Sequence, residues 1–313
     1  MKHPMERPME RDTFGSVPED LAGYYESARK GLASLRRPRI EFEAEAEKTN
    51  PGRYDPKEVK RDWDAADKER AEHKGEFVDV EVAELAEAVL SSMPIEAGWF
   101  GEDADVYTVA SAPHDDQHGV DLVREAVWKD ENGKTRIVRW AEDITTAHPD
   151  SSTDMSRASK VVRDKVERIM GFAREGKDTG FVKYFASEVD PQLVKPTFMP
   201  KAIVSLPRDA ILELADLHQR AREGDETALE KLRTHWARSE YLTQLDTAFA
   251  SAQALSTAKM SNTRNERERD FVGRTVSYLS SVRGFLKRAG LSGDEHLRNE
   301  WLRDNYTEAI DTI

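Results

Sequence analysis

Two runs rich in Val, Ile, Leu and Trp, Val120 to Trp128 and Thr135 to Ile144, flank the turn-forming stretch Asp130-Glu131-Asn132-Gly133-Lys134. This pattern predicts a β-hairpin. Upstream, Val82, Leu85, Ala86 and Val89 recur at the i, i+3, i+4, i+7 spacing. They predict a helix that starts near Val78 and closes before Pro94, with Glu81, Glu84 and Glu87 on its other side. A short strand is expected over Asp105 to Ala110. After the hairpin, Asp154 is placed to cap a helix through about Ala173, whose buried stripe is Met155, Ala158, Val162, Val166, Ile169 and Ala173. Gly180 to Ala186 and Lys201 to Leu206 read as strands, and a further helix begins at Pro207. From Ile211 to Phe249, and again from Phe271 to Leu286, apolar residues keep mostly helical spacing.

The first 75 residues differ from the rest. Pro4, Pro8, Pro18, Pro38, Pro51 and Pro56 are scattered among dense mixed charge, so most of this arm is expected to be disordered, with one weakly docked helix over Pro56 to His73. The division expected is therefore a charged arm (1–75), an α/β core (76–206) and a helical accessory region (207–313). A charged fraction of 34% beside 38% hydrophobic residues, with a mean hydropathy of −0.72, fits a chain that is only partly packed. There is no cysteine, which excludes disulfides, thiolate zinc sites and cysteine nucleophiles. No apolar run has the length of a membrane span, and the opening MKHPMERPMERD lacks a signal peptide's apolar core. A cytoplasmic protein without a membrane partner is expected. The 47 basic and 60 acidic residues leave a net charge of −13, which argues against coating nucleic acid by global attraction but leaves room for one local basic groove.

The candidate chemistry sits on the hairpin. If Gly133 takes the left-handed position of a three-residue turn, Asp130 pairs with Lys134 and Asp121 falls opposite Asp143. A two-residue Asn132-Gly133 turn would instead bring Glu142 to the face of Asp121. Like charges opposed across strands are unfavourable unless something positive, such as a divalent cation, lies between them. His114, Asp115, Asp116 and His118 form a second polar cluster, and Asp116 is placed to help a metal site from its rim. No glycine-rich phosphate loop, dinucleotide fingerprint or Gly-x-Ser-x-Gly elbow is present.

From Val78 to Leu206 the predicted order is helix, three strands, helix, strand and one more strand, with an acid on the second strand and another on the third. This order resembles the core of the PD-(D/E)XK, or restriction-endonuclease-like, nuclease superfamily. The resemblance implies an α+β fold with an αβββαβ core and a helical C-terminal region. It also implies hydrolysis of phosphodiester bonds in DNA, as an endonuclease or exonuclease, with Mg2+ or Mn2+. Carried onto this sequence, Asp121 matches the first acid, Asp143 or Glu142 the second, and Glu84 or Glu87 the acid that the first helix often contributes. The metal ligands implied are Asp121 and Asp143, with Asp116 beside them. The usual lysine two residues beyond the second acid is missing, since Thr145 follows Asp143 and Ile144 follows Glu142 at that spacing. Lys165 and Lys183 are the substitutes expected from elsewhere. A second reading is a catalytically inactive nuclease-like binding or assembly module, with the C-terminal helices as its surface for a protein partner. A third is a structural protein whose hairpin acids are incidental.

Overall fold

Gly133 sets the geometry of the sheet. In the computed structural model it has φ +73°, its N–H donates to the Asp130 carbonyl at 2.8 Å, and the Asp130 N–H donates to the Lys134 carbonyl at 2.9 Å. Only glycine enters that region of φ without strain, so the three-residue turn forms. The Asp130 carboxylate secures it by accepting from the N–H groups of Asn132 and Lys134. The structure describes residues 17–35, 55–72, 80–110, 119–146, 155–177, 179, 182–183, 187–189 and 199–290.

From this turn, β2 (Leu122–Lys129) and β3 (Thr135–Thr145) run antiparallel, from Lys129 opposite Thr135 to Leu122 opposite Glu142. Strand β1 (Ala104–Ala110) pairs antiparallel with β2, and β4 (Lys201–Ser205) pairs parallel with the last five residues of β3. The result is a mixed four-stranded sheet in the order β1-β2-β3-β4 within an α+β protein. Where β4 does not reach, the Tyr278 hydroxyl accepts from the Arg139 N–H at 2.7 Å and donates to the Arg139 carbonyl at 3.1 Å. On the far side of β4, the Gln244 amide accepts from the Ser205 N–H and donates to the Ser205 carbonyl, both at 2.8 Å.

Helices cover the sheet. Numbered along the chain they are α1 (Ala22–Leu35), α2 (Pro56–Glu72), α3 (Val80–Glu96), α4 (Met155–Arg174), α5 (Arg208–Arg222), α6 (Glu226–Arg233), α7 (Trp236–Asn262) and α8 (Glu266–Arg288). Helix α4 lies in the crossover from β3 to its parallel neighbour β4 and buries Val162, Val166, Ile169, Met170 and Ala173. Helix α7, with Tyr241, Leu245, Phe249 and Ala252 buried, packs against β4, α4 and α8. Among the described residues no helix is long and apolar enough to cross a membrane.

Three elements depart from the sequence expectation. Helix α3 continues through Pro94 to Glu96 and stops at Gly98, which has φ +69°. A proline inside a helix removes the N–H that would bond the carbonyl four residues earlier. Here that carbonyl belongs to Leu90, and it accepts from the guanidinium of Arg124 instead. The second departure is α1, where an arm was expected. Leu21, Tyr24, Tyr25, Ala28 and Leu32 form a buried stripe at helical spacing, diluted in the sequence by charged neighbours. The Tyr24 hydroxyl meets His218 Nδ1 at 2.6 Å, and His218 Nε2 meets Glu96 at 2.9 Å. That imidazole, together with Arg222, holds the Glu96 carboxyl down at about 2. Helix α2, in the place expected, docks through Val59, Trp63 and Ala66. Of the strand expected over Gly180 to Ala186, Val182 and Lys183 are described and lie in irregular chain.

Candidate functional site

Successive strand residues point to opposite faces, so the register that sets Leu122 against Glu142 sends Glu142 to one face of β3 and Asp143 to the other. Glu142 is fully buried and satisfied on its face. Its Oε1 accepts from Arg124 Nε at 3.1 Å, Trp140 Nε1 at 2.8 Å and the Tyr241 hydroxyl at 2.5 Å. Arg124 completes its own set on the Leu90 and Ser91 carbonyls and the Thr108 hydroxyl. Glu142, the alternative second acid of the sequence reading, is therefore a member of a closed core network. The three-residue turn is what removes it from the site.

On the opposite face Asp143 and Asp121 come together. Asp121 stands just before β2, its N–H donates to the Glu142 carbonyl at 2.9 Å, and its Oδ2 accepts from the Ile144 N–H at 2.6 Å. The Asp143 carboxylate is buried. Lys165 Nζ, reaching across from α4, lies 2.5 Å from Oδ1. Oδ2 has no hydrogen-bond donor among the described residues, and Lys201 Nζ at the start of β4 stands 3.7 Å away. Burial, then the negative charges of Glu87 and Asp143, push the Asp121 carboxyl well above the usual carboxylate range, while Lys165 and the Ile144 N–H oppose that shift. Burial pulls hardest on both lysines. For Lys201 it prevails, helped by Arg168 and Lys165, and the ammonium is held below its ordinary value despite Asp143. For Lys165 the attraction of Asp143 and Asp121 outweighs burial and carries it upward.

Gly119 closes the site. It has φ +67°, and its carbonyl accepts from Lys201 Nζ at 3.3 Å. A Cβ there would lie 2.5 Å from Asp143 Oδ2 and 3.4 Å from Lys201 Nζ. Gly119→Ala is expected to destabilise the protein by about 1–3 kcal/mol, through positive φ and the forced shift of Asp143. The midpoint of urea unfolding measures this, and an unchanged midpoint would show that the approach is not tight.

Of the other residues singled out in the sequence, Glu87 lies near enough to Asp121 to raise it, whereas Glu84 accepts from the Tyr25 hydroxyl at 2.5 Å between α1 and α3. Lys183 is ion-paired with Glu58, at 2.7 Å, and with Asp62, both on α2. Neither Glu84 nor Lys183 joins Asp121 and Asp143. Asp116, with His114, Asp115 and His118, lies outside the described residues. Sequence reasoning missed Lys201 and Gly119. The signal for Lys201 is topological: a strand parallel to β3 that pairs Ile203 with Asp143 places residue 201, two positions earlier, on the same face.

Among the described residues no three His, Asp or Glu side chains converge as ligands on one point. Two carboxylates facing one space, one of them with an oxygen lacking a donor, nevertheless form a hard oxygen donor set. That set suits Mg2+ or Mn2+, which are commonly held by one or two carboxylates with water completing the shell. None of the family models, curated proteins or solved structures compared with this chain matches it.

Proposed function

We propose that this protein is a metal-dependent nuclease that hydrolyses phosphodiester bonds in DNA, with Asp121 and Asp143 as ligands of Mg2+ or Mn2+. The observation that carries this reading is the meeting of Asp121 with the buried Asp143, whose Oδ2 lacks a donor, under two lysines from different elements. The chain order of α3, β1, β2, β3, α4 and β4, with β3 parallel to β4, supports a restriction-endonuclease-like αβββαβ core. When bound, the cation would polarise a phosphoryl oxygen and acidify a water. The chain itself supplies the remaining groups. Lys201, held by the Gly119 carbonyl and depressed by burial, is suited to face charge developing on the phosphorane and to exchange a proton there. It would stand in for the lysine missing at Thr145. Burial around Asp143 keeps these interactions strong by excluding water.

One observation favours the second reading, an inactive binding or assembly module: Lys165 pairs directly with Asp143, as in a structural salt bridge. One experiment separates the two. Supercoiled plasmid and single-stranded DNA are incubated with the full chain and Mg2+ or Mn2+, with a chelator control. Cleavage that depends on the ion and falls by at least about a hundredfold in Asp143→Asn is the result expected. Intact DNA with either ion, alongside retained binding, would favour the module.

A further inference from the structure

The opposition of Asp121 and Asp143 requires a positive charge, and the protein provides one of its own. Lys165 Nζ sits 2.5 Å from Asp143 Oδ1 and interacts electrostatically with Asp121 as well. The two lysines of the site are differently placed. The Lys201 side chain is 5% exposed and held by the Gly119 carbonyl, whereas that of Lys165 is 24% exposed where it pairs with the buried Asp143 carboxylate. A four-carbon stem that keeps part of its surface in solvent has freedom to move that a walled-in one lacks. Arg168, one turn further along α4, is exposed and adds a second positive group to that side.

We propose that Lys165, held on Asp143 Oδ1, is a tethered counter-ion standing in for the cation, so that a divalent ion binding the open Oδ2 meets its charge and displaces it. This deepens the nuclease proposal and rests on its reading of Asp121 and Asp143 as ligands. The ammonium keeps the two carboxylates assembled in the absence of metal and lowers the affinity for the ion by competing with it. Once displaced, it joins Arg168 on the open side of the site, where a substrate phosphate would enter. Metal occupancy and the position of Lys165 are thereby coupled, and each shifts the other by the same factor.

The test reads metal binding, not cleavage. Mn2+ is titrated into the metal-free full chain, and the free aquo ion is followed by electron paramagnetic resonance for wild type, K165Q, K165R and D143N. K165Q is expected to bind Mn2+ about tenfold or more tightly than wild type, the order of effect of removing one close charge. K165R keeps the charge and should stay close to wild type, and D143N should lose the site. Thermal melts confirm that each variant is folded. Equal or weaker binding by K165Q, with wild type still binding and D143N not, overturns the counter-ion proposal and leaves the metal reading in place. Binding by neither wild type nor K165Q, or equal binding by D143N, overturns both.

Discussion

Asp121→Asn should abolish ion-dependent DNA cleavage while making the folded protein more stable at neutral pH. The loss, at least about a hundredfold, follows from removing a charged ligand. The gain follows from linkage. Burial, reinforced by Glu87 and Asp143, raises the Asp121 carboxyl above its ordinary value of 3.8. The unfolded chain ionises this group as the pH passes that value, and the folded chain holds its proton longer. Stability is therefore lost as pH rises from about 4 towards the raised folded value, and it stays lost above it. A neutral amide escapes this penalty and can still accept from the Ile144 N–H. Urea unfolding of wild type and Asp121→Asn, in chelator, should give nearly equal midpoints at pH 3.5 and a higher one for the variant at pH 7.5. A lower midpoint at pH 7.5 would mark Asp121 as a structural acid and remove the main support for the nuclease reading.

Arg124→Met is expected to be the most damaging single change to the fold. Its guanidinium is completely buried and serves Glu142, the Leu90 and Ser91 carbonyls and the Thr108 hydroxyl. Removing it leaves Glu142 in the core without its counter-ion. Leaving one member of a buried ion pair costs about 3–5 kcal/mol, far more than the pair is worth relative to apolar replacements. The double variant Arg124→Met/Glu142→Leu should therefore recover part of the loss, as read by the coupling in a double-mutant cycle of urea unfolding. A cost below about 1 kcal/mol for Arg124→Met would contradict this account. Because Glu142 is the neighbour of Asp143 on β3, the network also fixes the strand that carries the site.

How far the sequence is legible depends on the range of the interaction concerned. Gly133 acts within its own turn, and the sequence narrows the register to two, one bringing Asp143 and the other Glu142 to Asp121, between which the three-residue turn of the structure decides. Helix α4 and strand β4 were likewise readable from their apolar spacing, and Lys165 from its place beside that stripe. Interactions closed by distant chain were not readable. Lys201 joins the site only because the α4 crossover lays β4 parallel to β3, a pairing that no local pattern states. Pro94 looks like a helix end unless Arg124, thirty positions on, is known to take the Leu90 carbonyl. Lys183 reads from the sequence as a strand residue able to substitute for the missing lysine, but Glu58 and Asp62 on α2 claim it. Helix α1 is hidden in the sequence because its stripe of Tyr24, Tyr25, Ala28 and Leu32, continued from Leu21 just before it, is embedded in charge.

Tyr278 and Gln244 have an effect beyond the stability of single hydrogen bonds. Unpaired main-chain groups along a strand are a template on which another chain can add itself, which leads to aggregation. A phenol at Arg139 and a carboxamide at Ser205 occupy such groups with side chains that cannot propagate a ladder. On this flank the sheet is shielded against self-association by two helices that each contribute one polar group.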